Sequence, residues 1–177
     1  MKKFSAEECF IVTEKDYVNM MNDVNQFRIP KENKIILRIL GIIAVCCGTA
    51  AFINLRESIY QTICWIILII IGFYVLSYYD VINPVQIKKQ ASKFYRYHSK
   101  MIKNAVTFQM NDELIHILSE THQLHLPKKY IHQIAECNHT ILIFIDKNEF
   151  SFIPKRVVND DDIRHLKNFA DDKYIVI

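Results

Sequence analysis

Two apolar runs dominate the hydrophobic pattern, Ile35 to Leu55 and Ile59 to Tyr79, separated only by Arg56-Glu57-Ser58. As an α-helix rising ~1.5 Å per residue, either run can cross a hydrocarbon core of ~30 Å. The second run holds no lysine, arginine or carboxylate, and the first holds only Arg38, near its entry end. The short connection from Asn54 to Ser58 permits little except an antiparallel helical hairpin. Two adjacent helices apolar on every side would need a far larger soluble protein around them. The pattern therefore predicts a transmembrane hairpin over residues 35–80. Gly41, Ala44, Gly48 and Ala51 recur at spacings of three and four. Such a stripe predicts the seam between the spans, with a dimerisation face as the alternative.

The soluble parts follow two other periods. Upstream, in residues 1–34, Cys9 to Val12 is a short strand candidate. Thr13, with Asp16 three residues on, caps a helix whose apolar stripe is Tyr17, Met20, Met21 and Val24. That helix is too short to stand alone, so it packs on the later domain or lies along the membrane, and Pro30 ends it. Downstream, over residues 81–103, Asn83-Pro84 reads as an N-cap followed by proline at the first helical position. It opens a helix with the stripe Ile87, Ala91, Phe94, His98 and Met101. Over residues 104–177 the period becomes that of strands. Six are expected, around Val106–Met110, Leu114–Leu118, Leu124–Leu126, Ile131–Ile134, Ile141–Ile145 and Phe150–Ile153. Asn159 then caps a helix with Asp160, Asp161 and Asp162 in its first turn. The predicted fold is a membrane α-helical hairpin plus an α+β domain, a small curled antiparallel sheet or open barrel closed by one C-terminal helix.

Charge adds an orientation. The net charge is only +3, but Lys88, Lys89, Lys93, Arg96, Lys100 and Lys103 fall in residues 81–103, which carry no carboxylate. Arg28, Lys31, Lys34 and Arg38 precede the first span or open it, whereas the connecting loop has only Arg56. The positive-inside rule then puts both termini in the cytoplasm of a multi-pass cell-membrane protein. The six basic residues are membrane-surface candidates, each worth ~1 kcal/mol beside an anionic leaflet. Residues 104–177 are slightly acidic, with eleven Asp/Glu against eight Lys/Arg, which does not suit a nucleic-acid surface.

Candidate chemistry is sparse. Of the five cysteines, Cys46, Cys47 and Cys64 lie in the spans, and no CxxC or Cys/His ligand spacing links Cys9 or Cys137 to a metal or disulfide. His116, His122, His125, His132 and His139 cluster in sequence, but a spacing of three sets His122 and His125 on opposite faces of a strand. No metal site or other cofactor is expected. Asp160 to Asp162 are explained by capping, and no GxSxG, Walker loop or HExxH occurs, so no catalytic residue is expected. Lys128, Lys129, Lys155 and Arg156 are the partner-binding candidates, expected to form a cationic rim beside the last helix.

The end Phe152-Ile153-Pro154-Lys155-Arg156 before an acidic-capped helix carries a resemblance. So do the two-span hairpin, the basic linker, the strand meander and the N-terminal strand and helix with Thr13 and Tyr17. Together they resemble the YcxB-like membrane proteins. The chain departs from that pattern at Leu126-Pro127-Lys128-Lys129, where such proteins often place a tryptophan after the proline turn. The resemblance implies a pleckstrin-homology-like sheet-and-helix domain and no established activity. The expected function is that of a non-enzymatic bacterial inner-membrane protein presenting this domain as a binding or regulatory module to a protein partner. The alternative is a membrane-resident immunity protein whose partner is a toxin.

Overall fold

The computed structural model describes residues 6–54, 58–111, 113–120 and 123–177. Leu55, Arg56, Glu57, Asp112, Thr121 and His122, and the side chains of Ala6, Glu7, Lys100 and Met101, lie outside the described residues. The chain divides into two units, one of residues 27–87 and one that joins the residues up to 26 to those from 88 onward. The elements run β1 (Ala6–Ile11), α1 (Glu14–Arg28), α2 (Lys31–Asn54), α3 (Ile59–Ser77), a π-turn (Tyr78–Ile82), α4 (Asn83–Tyr97) and α5 (Ser99–Ile102). They continue with β2 (Ala105–Met110), β3 (Leu114–Ser119), β4 (Gln123–Pro127), β5 (Gln133–Glu136), β6 (Thr140–Phe144), β7 (Phe150–Pro154), α6 (Asp160–Ala170) and β8 (Tyr174–Val176). Two 3₁₀ turns, Lys128–Tyr130 and Lys155–Val157, each follow a strand-ending proline.

In the first unit α2 and α3 are long and apolar enough to cross a membrane. Their large side chains, among them Ile39, Ile43, Ile67, Ile70 and Phe73, stay exposed. At ~25 cal/mol per Å² of apolar surface left in water, such faces suit lipid. The only buried residues of the two helices are Gly41, Gly48 and Gly72. The stripe around Gly41 and Gly48 is thus the seam between the helices, and Gly72 supplies its other side. At the α2 end, Arg38 grips Asp80 through both carboxylate oxygens, at 2.8 and 2.9 Å.

Asn83 does not cap a helix, contrary to the sequence pattern. Its backbone is helical and its N–H reaches the Tyr78 carbonyl, so the helix passes through the π-turn into α4. Pro84 has no N–H to donate, and its ring would press on the carbonyl four residues back. The wider π-turn just before it absorbs that misfit.

The second unit is discontinuous. The strand expected near Cys9 is β1, and it pairs antiparallel with β2, Phe10 opposite Val106. The N-terminal strand is thus the edge of the later sheet. The expected single curled sheet or open barrel is instead two four-stranded sheets, ordered β1-β2-β3-β4 and β7-β6-β5-β8. Neither closes into a barrel. β8 was not foreseen; it pairs parallel with β5, Ile134 opposite Tyr174. Phe108, Met110 and Ile115 from one sheet share a core with Ile134, Ile141 and Ile143 from the other and with Leu166 and Phe169 of α6.

Helix α1 belongs to this unit, which resolves its two expected positions. Thr13 and Asp16 form the expected cap: the Thr13 N–H donates to Asp16 Oδ2 at 2.9 Å, and the Asp16 N–H to Thr13 Oγ1 at 3.2 Å. Val18, Met20 and Val24 are buried. Asp23, also buried, accepts from the Thr140 hydroxyl at 2.7 Å and the His139 N–H at 3.1 Å. A carboxylate thereby ties α1 to the start of β6.

Candidate functional site

The four rim candidates separate into two pairs. Pro154 ends β7, and the 3₁₀ turn behind it aims Lys155 and Arg156 back into the chain. Arg156 Nε and Nη2 donate to the two oxygens of Asp16 at 2.9 and 2.6 Å, and Nη2 also reaches the Ile11 carbonyl at 2.9 Å. Burial pushes the Asp16 carboxyl up, but Arg156 and Thr13 more than offset it and hold the group below the usual carboxylate range. Lys155 Nζ lies 2.9 Å from Glu136 Oε1. Glu136 Oε2 also accepts from the Tyr174 hydroxyl at 2.8 Å and faces Lys167 at 3.3 Å. Here too burial raises the carboxyl and Lys155 with Tyr174 outweighs it. Lys155 and Arg156 thus clamp β5, α6, β8 and the N-terminal strand–helix junction, and their positive charge is largely spent inside the unit.

Lys128 and Lys129 remain at the surface. Their turn projects from the end of β4, fixed by the Lys128 N–H on the Glu113 carbonyl at 3.1 Å. Lys128, Lys129 and Tyr130 are all exposed, and the Lys129 ammonium sits 4.7 Å from the centre of the Tyr130 ring. Beside them the Lys173 ammonium donates to the Ile131 carbonyl at 2.8 Å. Tyr130 and Lys173 were not singled out by the sequence. Tyr130 could have been, as an aromatic next to two lysines after a proline; Lys173 lies too far along the chain.

No family model, no curated protein and no solved structure significantly matches this chain. The YcxB-like resemblance rests on the quoted residues alone.

The remaining candidates scatter. His122 lies outside the described residues; of the other four histidines, His116 and His125 meet, opposite one another on β3 and β4 with Nδ1 atoms 2.7 Å apart. Partial burial and then the neighbouring ring lower the His116 pKa. Among the described residues no three metal-ligating side chains converge. Asp162 and Asn159 form a reciprocal cap at 2.8 and 3.2 Å, and Asp161 pairs with Arg164 at 3.3 Å. Burial, then Asp23, pushes the Cys137 thiol up to about 12, where it stays protonated.

On α4, Lys88, Lys89, Lys93 and Arg96 are exposed, as is Lys103 beyond α5. The buried residues are Ala91 and Tyr95, so the packed face is shifted by one residue from the expected stripe at Phe94. The Tyr95 hydroxyl donates to the Val12 carbonyl at 2.9 Å, and Phe94 stacks on Tyr17 with ring centres 5.8 Å apart. Arg96 approaches Glu14 at 3.4 Å, and the Ser92 hydroxyl donates to the same carboxylate. That hydroxyl, with Arg96, holds Glu14 below its ordinary pKa.

Proposed function

We propose that this is a non-enzymatic membrane protein, anchored as a multi-pass hairpin by α2 and α3 with both termini in the cytoplasm. Its two-sheet unit acts as a pleckstrin-homology-like module that binds a protein partner through the Lys128–Lys129–Tyr130 turn. Two four-stranded sheets sharing a core with one helix after the last hairpin support the module reading. Buried Asp16, Asp23 and Asp162 each serve as structural acceptors, as does Glu136, so these groups act as braces rather than poised acids or bases. The observation that carries the proposal is the exposed turn, where two lysines and an aromatic ring follow the end of β4. A tyrosine anchor beside two cations suits a partner with an acidic patch.

Changing Lys128 and Lys129 to Glu is expected to weaken co-purification of partners from detergent extracts at least tenfold, with the fold unchanged by circular dichroism. Retention equal to that of the parent chain would reject the turn as the contact. Orientation has its own test. A reporter fused after Ile177 is expected to be active only in the cytoplasm, and a cysteine at Ser58 to react with an impermeant thiol reagent on intact cells. Activity of the reporter outside the cell would reverse the topology.

A further inference from the structure

We infer that the groove between α1 and α4 is a binding site for the phosphodiester headgroup of an anionic phospholipid. Two hollows adjoin at Ser92. One, of about 580 Å³, is lined by Glu14, Lys15, Val18, Asn19, Asn22, Lys88 and Ser92. The other, of about 520 Å³, is lined by Lys89, Ser92, Lys93, Arg96 and Tyr97. Each falls in the ~300–1,000 Å³ range of small-ligand sites. Lys15, Asn19 and Asn22 stand at helical spacing on one face of α1 and bring an ammonium and two amides to the same space as Lys88. Ammonium groups complement a phosphate, and the amides can serve the glycerol hydroxyls of a headgroup.

Among the described residues the groove is lined by one carboxylate, Glu14, and it is already bonded by Ser92 and approached by Arg96. Its negative charge is therefore partly met from within, while Lys15, Lys88, Lys89 and Lys93 face outward around the hollows. The aromatic packing of Tyr17 on Phe94 and Tyr95, with centres 5.8 and 6.0 Å apart, fixes the two walls against each other. That rigidity separates this groove from a merely basic helix face.

Chain position selects a lipid over a free anion. Lys88 follows Ser77, the last residue of α3, by eleven residues, so the chain itself tethers the groove to an apolar run. The inference rests on α2 and α3 being membrane spans, but not on which side the termini occupy. A reversed topology would leave the measurement below unaffected.

The test uses the full chain in detergent micelles. Native mass spectrometry counts bound phosphatidylglycerol against phosphatidylcholine of the same acyl chains, with inorganic phosphate as competitor. The parent is expected to bind phosphatidylglycerol at least tenfold more tightly than phosphatidylcholine. Lys88→Gln with Lys89→Gln and Lys93→Gln should abolish that preference, and Asn19→Leu with Asn22→Leu should reduce it without changing charge. The pair Lys128→Gln and Lys129→Gln, also a loss of surface charge, should keep it. Lys93→Gln alone, at an exposed position, tests the same point if the triple variant is unstable. Equal binding of the two lipids, equal loss in the Lys128/Lys129 control, or full displacement by phosphate at equal concentration would overturn the inference.

Discussion

Replacing Gly72 by leucine is expected to force α2 and α3 apart. A Cβ built on Gly72 falls 2.7 Å from Val45 Cγ2, 3.0 Å from the Val45 nitrogen and 3.1 Å from the Gly41 carbonyl oxygen. Two of these neighbours are backbone and cannot swing aside. At Gly48 the nearest atom is Ile69 Cγ1, at 2.8 Å, and the nearest backbone atoms, the Ile69 nitrogen and the Trp65 carbonyl oxygen, stand farther off at 3.4 Å. The order of damage should therefore be Gly72→Leu above Gly48→Leu. Overpacking of this kind costs roughly 3 kcal/mol, and in lipid no hydrophobic gain between helices offsets it. The readout is disulfide cross-linking between cysteines placed across the seam, together with accumulation of the protein in membranes. Ile70→Leu, on an exposed face, serves as the neutral control. Unchanged cross-linking in Gly72→Leu would mean that the helices do not meet over their glycines.

The second large effect is expected from Arg156→Glu. The guanidinium forks across both oxygens of Asp16, whose side chain is 6% exposed, while its own is 48% exposed. Removing one partner of a buried pair strands the other charge, and half-exposure of the arginine places the loss at roughly 3 kcal/mol. For a domain of this size that corresponds to about 6–12 °C in Tm. Arg156→Lys should recover only part, because an ammonium cannot donate as a planar fork. The pH dependence follows from Asp16 being held below its ordinary value in the folded chain. Its contribution is present above the unfolded carboxylate value of ~3.9 and is lost as pH falls through the lower folded value. Arg156→Ala should therefore shrink the parent's loss of stability on acidification, as well as lowering stability at neutral pH. Thermal unfolding between pH 7 and pH 3 measures both. An Arg156→Glu chain as stable as the parent would show that the clamp between β1–α1 and β7 carries no weight. It would also restore Arg156 as a free contact residue.

Much of this protein is written in local pattern. The two apolar helices follow from runs without charge, where length alone decides. Thr13 with Asp16, and Asn159 with Asp162, cap their helices as their spacing requires, because a cap is settled within four residues. Five of the six strands expected from β2 to β7 appear where alternation and turn residues put them, and β5 starts two residues later than Ile131, because the 3₁₀ turn after Pro127 takes up the chain to Tyr130. What tertiary structure decided lies at long range. β1 joins β2 across the inserted hairpin because Phe10 and Val12 complete a core whose other members lie beyond residue 105. Alternation along a strand does not say which strand it will meet. β8 is three residues long, too short for any period, and exists because Ile134–Glu136 offers it an edge.

The candidate site divides in the same way. Lys128 and Lys129 were legible as exposed cations after a proline turn, and they stayed exposed. Lys155 and Arg156 look identical in sequence, a proline followed by two cations. They are drawn inward only because Asp16 and Glu136 arrive from distant segments with too little solvent to satisfy them. A buried carboxylate takes whichever cation the fold brings near, and no spacing along the chain records that choice.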